Sequence, residues 1–302
     1  VSAVLQQRPA ARILDVTEDE YFADPCEVPS LSQSTARTLL TQSPLHAWTA
    51  HPKLNPQPTI IEEPSAARDE GSVLHALLIG KGAAIDVIKA DNYRTNAAKS
   101  LRDAARLAGR LPVLEHRYDE ILEAAGHVRK NFADYGIVFG EECEFAVEWT
   151  EDGVQGPVIC RGRPDNLHRG YSLDDLQFEH TLWDLKKIKS ADDETCMRHI
   201  YEYGYDIQRA AYVSGVSKLL GCSPNAIDFV FVFAEIEPPY AVNPIRLDDS
   251  YIVMGERRWA RAIGLWEHCL VNDYWPSYTK KIHTLEAPAW AIAKEERLNG
   301  SF

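Results

Sequence analysis

Asp184 and Lys186, in the stretch Thr181-Leu182-Trp183-Asp184-Leu185-Lys186-Lys187, set a carboxylate and an ammonium two residues apart in a segment of strand-like composition. Side chains alternate faces along a strand, so both point the same way, about 6.5 Å apart. A second acidic position, Asp165 in Arg163-Pro164-Asp165-Asn166, precedes them. Hard divalent cations such as Mg²⁺ take oxygen ligands and keep several waters, so two converging carboxylates, water and a phosphate suffice for a site. Without a cation the two carboxylates repel, and one is hard to ionise. Lys186 is then placed to hold or deprotonate a water, or to stabilise charge on a phosphoryl oxygen. Alone, Asp-x-Lys reads first as an exposed cross-strand charge pattern.

The elements that must position these groups follow from periodicity. In Cys143-Glu144-Phe145-Ala146-Val147-Glu148-Trp149 apolar and acidic residues alternate, which predicts a half-buried strand. Glu151-Asp152-Gly153 supplies a turn, and 158–167 reads as the returning strand, with Arg161, Arg163 and Asp165 on one face. The 181–187 stretch completes a three-strand meander that brings Asp165 and Asp184 to neighbouring strand ends. Residues 195–220 read as one long helix on which Gln208 and Tyr212, at i and i+4, share a face. The apolar run 226–236 predicts a strand buried on both faces.

Upstream, 1–30 reads as a loosely held lead-in with a short strand at 11–16, and 31–40 reads as a Ser-capped helix. The proline-bearing 51–65 reads as an exposed connection. A short apolar helix over 71–80 carries one histidine, His75, by default a satisfied core residue. Helical spacing recurs over 97–108, 113–134 and 248–271. Helices, then a meander, then a helix and a buried strand predict a layered α/β domain.

Composition narrows the function classes. With 302 residues, 45% hydrophobic and 25% charged, the chain can bury a substantial core and reads as one domain with helical additions. The net charge of -13 argues against holding nucleic acid by overall electrostatics, but is compatible with a local basic channel inside an acidic shell. Six dispersed cysteines without a C-x-x-C pair read as reduced thiols. No signal-peptide layout and no membrane-length apolar run predict a soluble, cytoplasmic protein. A start at Val reads as a fragment or a processed chain.

His75 in Gly-x-x-x-His, Arg-Pro-Asp165, Trp-Asp184-Leu-Lys186 and Gln208-x-x-x-Tyr212 occur together and in this order. In this combination the chain resembles the RecE-like exonucleases (exodeoxyribonuclease VIII) and, more widely, the RecB-type branch of the PDDEXK nucleases. The resemblance covers roughly residues 30 to 295. It implies a restriction-endonuclease-like (PDDEXK) core, a mixed sheet flanked by helices with an added helical N-terminal part. It divides the chain into a lead-in (1–30), an exonuclease domain (31–295) and a tail (296–302). By the same resemblance His75, Asp165, Asp184 and the Leu185 carbonyl are metal ligands for Mg²⁺ or Mn²⁺, Lys186 is the catalytic lysine, and Gln208 and Tyr212 order the site or contact DNA.

Arg161 and Arg163 would meet phosphates or pair with Glu144 or Glu148, and Glu144 ranks lower as a surface carboxylate. The implied activity is digestion of one strand of linear double-stranded DNA, 5′ to 3′, exposing single-stranded tails for recombination. The implied partners are a single-strand annealing protein and copies of the chain in a ring-shaped homo-oligomer. The alternative is a non-catalytic DNA-processing or interaction module that retains the fold, with a metal-dependent hydrolase of another substrate as a third reading. Asp184 stands where the superfamily name implies Glu, and Lys187 where a small hydroxyl residue is frequent. The four cysteines of the iron-sulfur members are not evident.

Overall fold

The computed structural model describes residues 10–55, 57, 65–172, 178–278 and 281–299. Its strands, in chain order, are β1 (Ala11–Leu14), β2 (Leu31–Ser32), β3 (Ile85–Ile88), β4 (Leu111–Leu114), β5 (Glu142–Cys143), β6 (Ala146–Asp152), β7 (Pro157–Gly162), β8 (Asn166–Arg169), β9 (His180–Ile188), β10 (Ile227–Glu235) and β11 (Val242–Arg246). They form a sheet ordered β1-β6-β7-β2, a mixed sheet ordered β11-β10-β9-β8-β5, and a small β3-β4 pair. In the mixed sheet only β9 and β10 run parallel. Helices flank it, and the predicted α/β class holds.

β10 is buried from Ile227 through Ala234, as its apolar run predicts. Its pairing with β9 sets Leu182 beside Phe229, Asp184 beside Phe231 and Lys186 beside Phe233. Alternation puts these on one face, where the helices Tyr205–Leu220 and Asp249–Asn272 contribute Ile207, Ala211 and Trp259 to the same core. Trp183, Leu185, Val230 and Val232 lie on the other face, packed with Val73, Leu74, Ile121 and Val128 from the helices Ala66–Ile79 and Glu115–Asp134. The 181–187 strand therefore sends its polar pair, with Leu182, toward one core and Trp183 and Leu185 into the other.

Four expectations are corrected. The 158–167 stretch is not one strand: β7 ends at Gly162, β8 begins at Asn166, and the two lie in different sheets. Pro164 lacks the N–H a ladder needs, so the chain crosses between sheets there. The meander is thus divided between two sheets.

The 195–220 helix is also interrupted, because Gly204 (φ 68°) ends the helix Asp193–Tyr203 and opens Tyr205–Leu220. A left-handed residue stops the helical hydrogen-bond run, and glycine takes that conformation without steric penalty.

The described part of the lead-in is firmly held. β1 pairs with β6 in register, and the buried Asp24 accepts hydrogen bonds from Ser30 N (2.9 Å) and Ser30 Oγ (2.7 Å). His51 Nε2 and Arg161 Nη1 each stand 3.3 Å from the same carboxylate. In the 51–65 connection His51 and Asn55 are buried while Lys53, Gln57 and Ser65 are exposed; residues 56 and 58–64 lie outside the described residues. Among the described residues no helix is long and apolar enough to cross a membrane.

Candidate active site

The sheet crossing at Pro164 gathers the acidic residues. The β5–β8 ladder pairs Cys143 with Asn166 and runs on to Glu144, whose N–H donates to the Asp165 carbonyl at 2.8 Å. The β8–β9 register ends at Asn166 opposite Trp183, so the next step sets Asp165 against Asp184. Beyond Asn166 the Asp165 side chain takes over from the backbone: its Oδ2 accepts from Leu185 N at 2.8 Å. Glu144, Asp165 and Asp184 thus form a row across three neighbouring strands.

Cations hold this row from several directions. His75, on the helix Ala66–Ile79, has Nδ1 at 2.7 Å from Glu144 Oε1 and Nε2 at 3.0 Å from Asp165 Oδ2. Arg163 donates to Glu144 Oε2 at 2.8 Å and lies 3.3 Å from Glu18 Oε1. Lys186 pairs with Asp184 Oδ1, and Gln208 Nε2 donates to Asp184 Oδ2. The Lys186 ammonium also sits 4.6 Å from the Tyr205 ring centroid, in cation–π range.

These contacts set the charges. Burial would lower the His75 pKa, but the Asp165 and Glu144 carboxylates outweigh it and push it up to about 10. The imidazole is then charged, and both ring nitrogens donate. Asp165 is held below the ordinary carboxylate range, burial being outweighed by His75, Lys186 and the Leu185 N–H. Asp184 goes the other way: burial, with the Asp165 charge added, raises it to about 7 against the pull of Lys186. Lys186 is raised despite burial by the Asp184 and Asp165 carboxylates and stays an ammonium.

Among the described residues no group of three or more His, Cys, Asp and Glu side chains is arranged as a ready metal cage. The donor chemistry nonetheless suits a hard divalent cation. Asp165 and Asp184 are adjacent carboxylates, the oxygen donors such an ion takes. Burial with the Asp165 charge added raises the Asp184 pKa, a penalty on its charged form that a bound cation would reduce. His75, bonded through both nitrogens to carboxylates, has no lone pair turned toward an ion in this arrangement.

The other expected residues fall as follows. Tyr212 is buried against Phe229 and Gly162; a Cβ on Gly162 would stand 2.8 Å from Tyr212 Cε1. It supports the strand end beneath the site. Arg161 lies opposite Glu148 in the β6–β7 register, and it pairs with Asp24 at 3.3 Å. It is buried and donates to Ser30 O (2.9 Å) and Ser30 Oγ (2.6 Å), while Glu148 takes Arg12 (3.2 Å). Arg163 follows the pairing reading, with Glu144. Lys187 is exposed, and alternation turns it to the strand face opposite Asp184 and Lys186.

Glu144 is not the surface carboxylate expected from alternation. It adopts φ 44°, which breaks the apparent strand between β5 and β6 and turns its side chain to His75 and Arg163. Nothing in the alternating pattern signals that kink. Tyr205 was visible in sequence only as one more aromatic on a helix.

The row opens on a cavity of about 310 Å³ lined by His75, Glu144, Asp165, Arg163, Arg68 and Glu18. A cleft of about 660 Å³ adjoins it, with Arg68, Lys81, Arg106 and Arg110 on its walls. Asp184, 1% exposed, lies behind this opening.

A solved structure from Eubacterium rectale, whose assignment as an exonuclease is provisional, is 15% identical over 93% of this chain and 98% of that chain, with a TM-score of 0.55. It shares the fold. A second solved structure, SSO0001, is 11% identical over 86% of this chain and 89% of that chain; its TM-score of 0.31 is too low to bear on the argument. No curated protein matches the chain. Residues 49–288 match the family described as a PDDEXK-like domain of unknown function (DUF3799), a span that includes every acidic and basic residue of the row, and the chain belongs to that family.

Proposed function

We propose that the protein is a divalent-metal-dependent exodeoxyribonuclease that degrades one strand of linear double-stranded DNA. The observation that carries this reading is the convergence of Asp165, Asp184, Lys186 and Gln208 at one strand end, with Glu144 and His75 facing them. Asp165, Asp184 and the Leu185 carbonyl would hold Mg²⁺ or Mn²⁺, with Glu144 and His75 beside them. A bound ion there would supply positive charge to the scissile phosphoryl group and its attacking oxygen. Lys186, an ammonium between Asp184 and the Tyr205 ring, stabilises charge on a phosphoryl oxygen rather than taking a proton. Gln208 fixes the Asp184 carboxylate by binding Oδ2 and leaving Oδ1 to the lysine side. The adjoining cleft, where Arg68, Lys81, Arg106 and Arg110 are interspersed with Glu18, Asp19, Asp69 and Glu144, would lead the phosphates of the strand to the row.

Within this reading the catalytic unit spans 31–295, and β1 with the Asp24 network straps it. Action 5′ to 3′, a ring-shaped homo-oligomer and a single-strand annealing partner in recombination belong to the same proposal through the RecE-like motifs. A non-catalytic module is the competing reading, and the intact Asp165, Asp184 and Lys186 set weighs against it. End-labelled linear duplexes compared with closed circles test the proposal. Nucleotide release from linear DNA with Mg²⁺ or Mn²⁺, absent with EDTA and in Asp184→Ala, is expected. No release by the wild-type chain with either ion would leave the non-catalytic reading.

A further inference from the structure

A line of aromatic rings runs from the surface to Lys186. Tyr203, the last residue of the helix Asp193–Tyr203, is 43% exposed although its ring lies in a stack. It is 5.9 Å from the Tyr205 ring at 27°, and Tyr205 is 5.5 Å from Phe231 at 24°. The Lys186 ammonium rests on Tyr205, so one ring stack and one cation–π contact separate the outermost ring from the ammonium. Gly204 makes the arrangement possible: its left-handed turn sets two tyrosines of consecutive helices side by side.

Arg37 lies across this turn. Its guanidinium carbon is 5.4 Å from the Tyr203 centroid, and its stem would touch a Cβ placed on Gly204 at 3.5 Å. Among the described residues no carboxylate pairs with Arg37, and its Nε is buried without a hydrogen-bond partner. Arg163, Arg106 and Arg110 at the site are matched by carboxylates, whereas Arg37 rests on the Tyr203 ring with no carboxylate partner among the described residues, which leaves its charge for an outside anion. Tyr203 is half-exposed in a group with Tyr205, His199 (5.0 Å, edge-on) and the Arg37 guanidinium. A ring beside a cation that no carboxylate matches is the pairing a single nucleic-acid strand uses, a ring for the base and a cation for its phosphate.

We infer that Tyr203 and Arg37 form a base-stacking subsite that seats one unpaired nucleotide of single-stranded DNA beside the reacting strand end. The inference rests on the nuclease reading and adds where the strand is held. Because every base has a π-face, the subsite accepts any of the four bases and rejects an abasic residue.

The test uses the full chain in EDTA and a single-stranded oligonucleotide carrying 2-aminopurine, read by its emission and by anisotropy. Stacking quenches the emission on the wild-type protein. Tyr203→Ala loses the quench and binds about tenfold more weakly, whereas Tyr203→Phe, which keeps the ring, retains both. An abasic residue at that position weakens binding to the wild type by a similar factor and leaves Tyr203→Ala unaffected, because the two changes remove one contact. Arg37→Gln lowers the slope of log affinity against log salt by about 0.7, the value for one single-strand phosphate contact.

Equal abasic penalties in wild type and Tyr203→Ala, with both proteins melting alike, would overturn the subsite, as would no binding by the wild type. Nucleotide release from linear duplex DNA is scored separately. Release without any dependence on Tyr203 removes the subsite and leaves the nuclease. A ring-dependent quench without release removes the nuclease and leaves strand binding.

Discussion

Replacing Asp24 should unfold the protein more readily than replacing any carboxylate of the row, because Asp24 is the hub that fastens the N-terminal strap. Its side chain is fully buried and takes two hydrogen bonds from Ser30, with His51 and Arg161 at 3.3 Å. Asp24→Ala removes the carboxylate paired with the buried Arg161, which keeps Ser30 and the Tyr21 ring and lies opposite Glu148 in the strand register. Breaking a buried ion pair from one side costs about 3–5 kcal/mol. The surviving bonds from Arg161 to Ser30 O and Oγ put the expected loss near the lower end. At about 2–4 °C per kcal/mol for large domains, the melting temperature should fall by roughly 6–15 °C.

Acid probes the same carboxyl more gently. Although burial opposes it, His51, Arg161 and Ser30 hold Asp24 at about 2 instead of its ordinary 3.8, which corresponds to about 2 kcal/mol. The folded value is depressed, so this stability is complete above about pH 4 and is lost as pH falls toward 2. Protonation costs less than truncation because the carboxylic acid still fills the space and accepts from Ser30. Circular-dichroism melts of wild type, Asp24→Ala and Asp24→Asn between pH 2 and 7 check both figures. A loss in Asp24→Ala under about 1 kcal/mol, or an acid limb unchanged in Asp24→Asn, would refute the hub.

Two predictions concern the row itself. Lys186→Ala should cut turnover on linear DNA by about 10²-fold or more while leaving the dissociation constant for DNA unchanged, measured by single-turnover release and by anisotropy; an equal loss of binding would contradict a role confined to the transition state. Gln208→Ala should lower activity or metal affinity by about 10–100-fold, because it orients Asp184 without itself reacting, and Gln208→Glu should not rescue it. Wild-type kinetics in Gln208→Ala would return that helix face to packing.

The polar skeleton of the site was legible where local rules are strong. Asp184 and Lys186 on one strand face, the buried β10 and the facing of Gln208 all follow from period two or period 3.6. What sequence patterning missed lies at single residues that end a pattern. Pro164 ends β7 and sends the chain to another sheet, Gly204 divides a helix that periodicity joins, and Glu144 takes a left-handed backbone inside apparent alternation. At each, a backbone conformation outweighs side-chain polarity, and hydrophobic spacing carries no information about it. The partner of Arg161 was missed for a different reason: Asp24 and Ser30 are far from it in sequence, and only the packed strap brings them together.

Those pattern breaks are also what make the site. An uninterrupted strand through 158–167 would keep Arg161, Arg163 and Asp165 on one face of one sheet, with no route for Asp165 to reach the Leu185 N–H. Breaking it at Pro164 lets Arg161 stay with the strap while Asp165 joins the mixed sheet one step past Asn166. β9 then cannot slip, because a one-residue shift would drive Trp183 and Leu185 toward the Tyr205–Leu220 helix and turn Asp184 and Lys186 into the apolar core around Val230 and Val232. The register that holds the reactive pair in place is therefore enforced by burial on both sides of the strand, and the acidic row needs no contact of its own to maintain it.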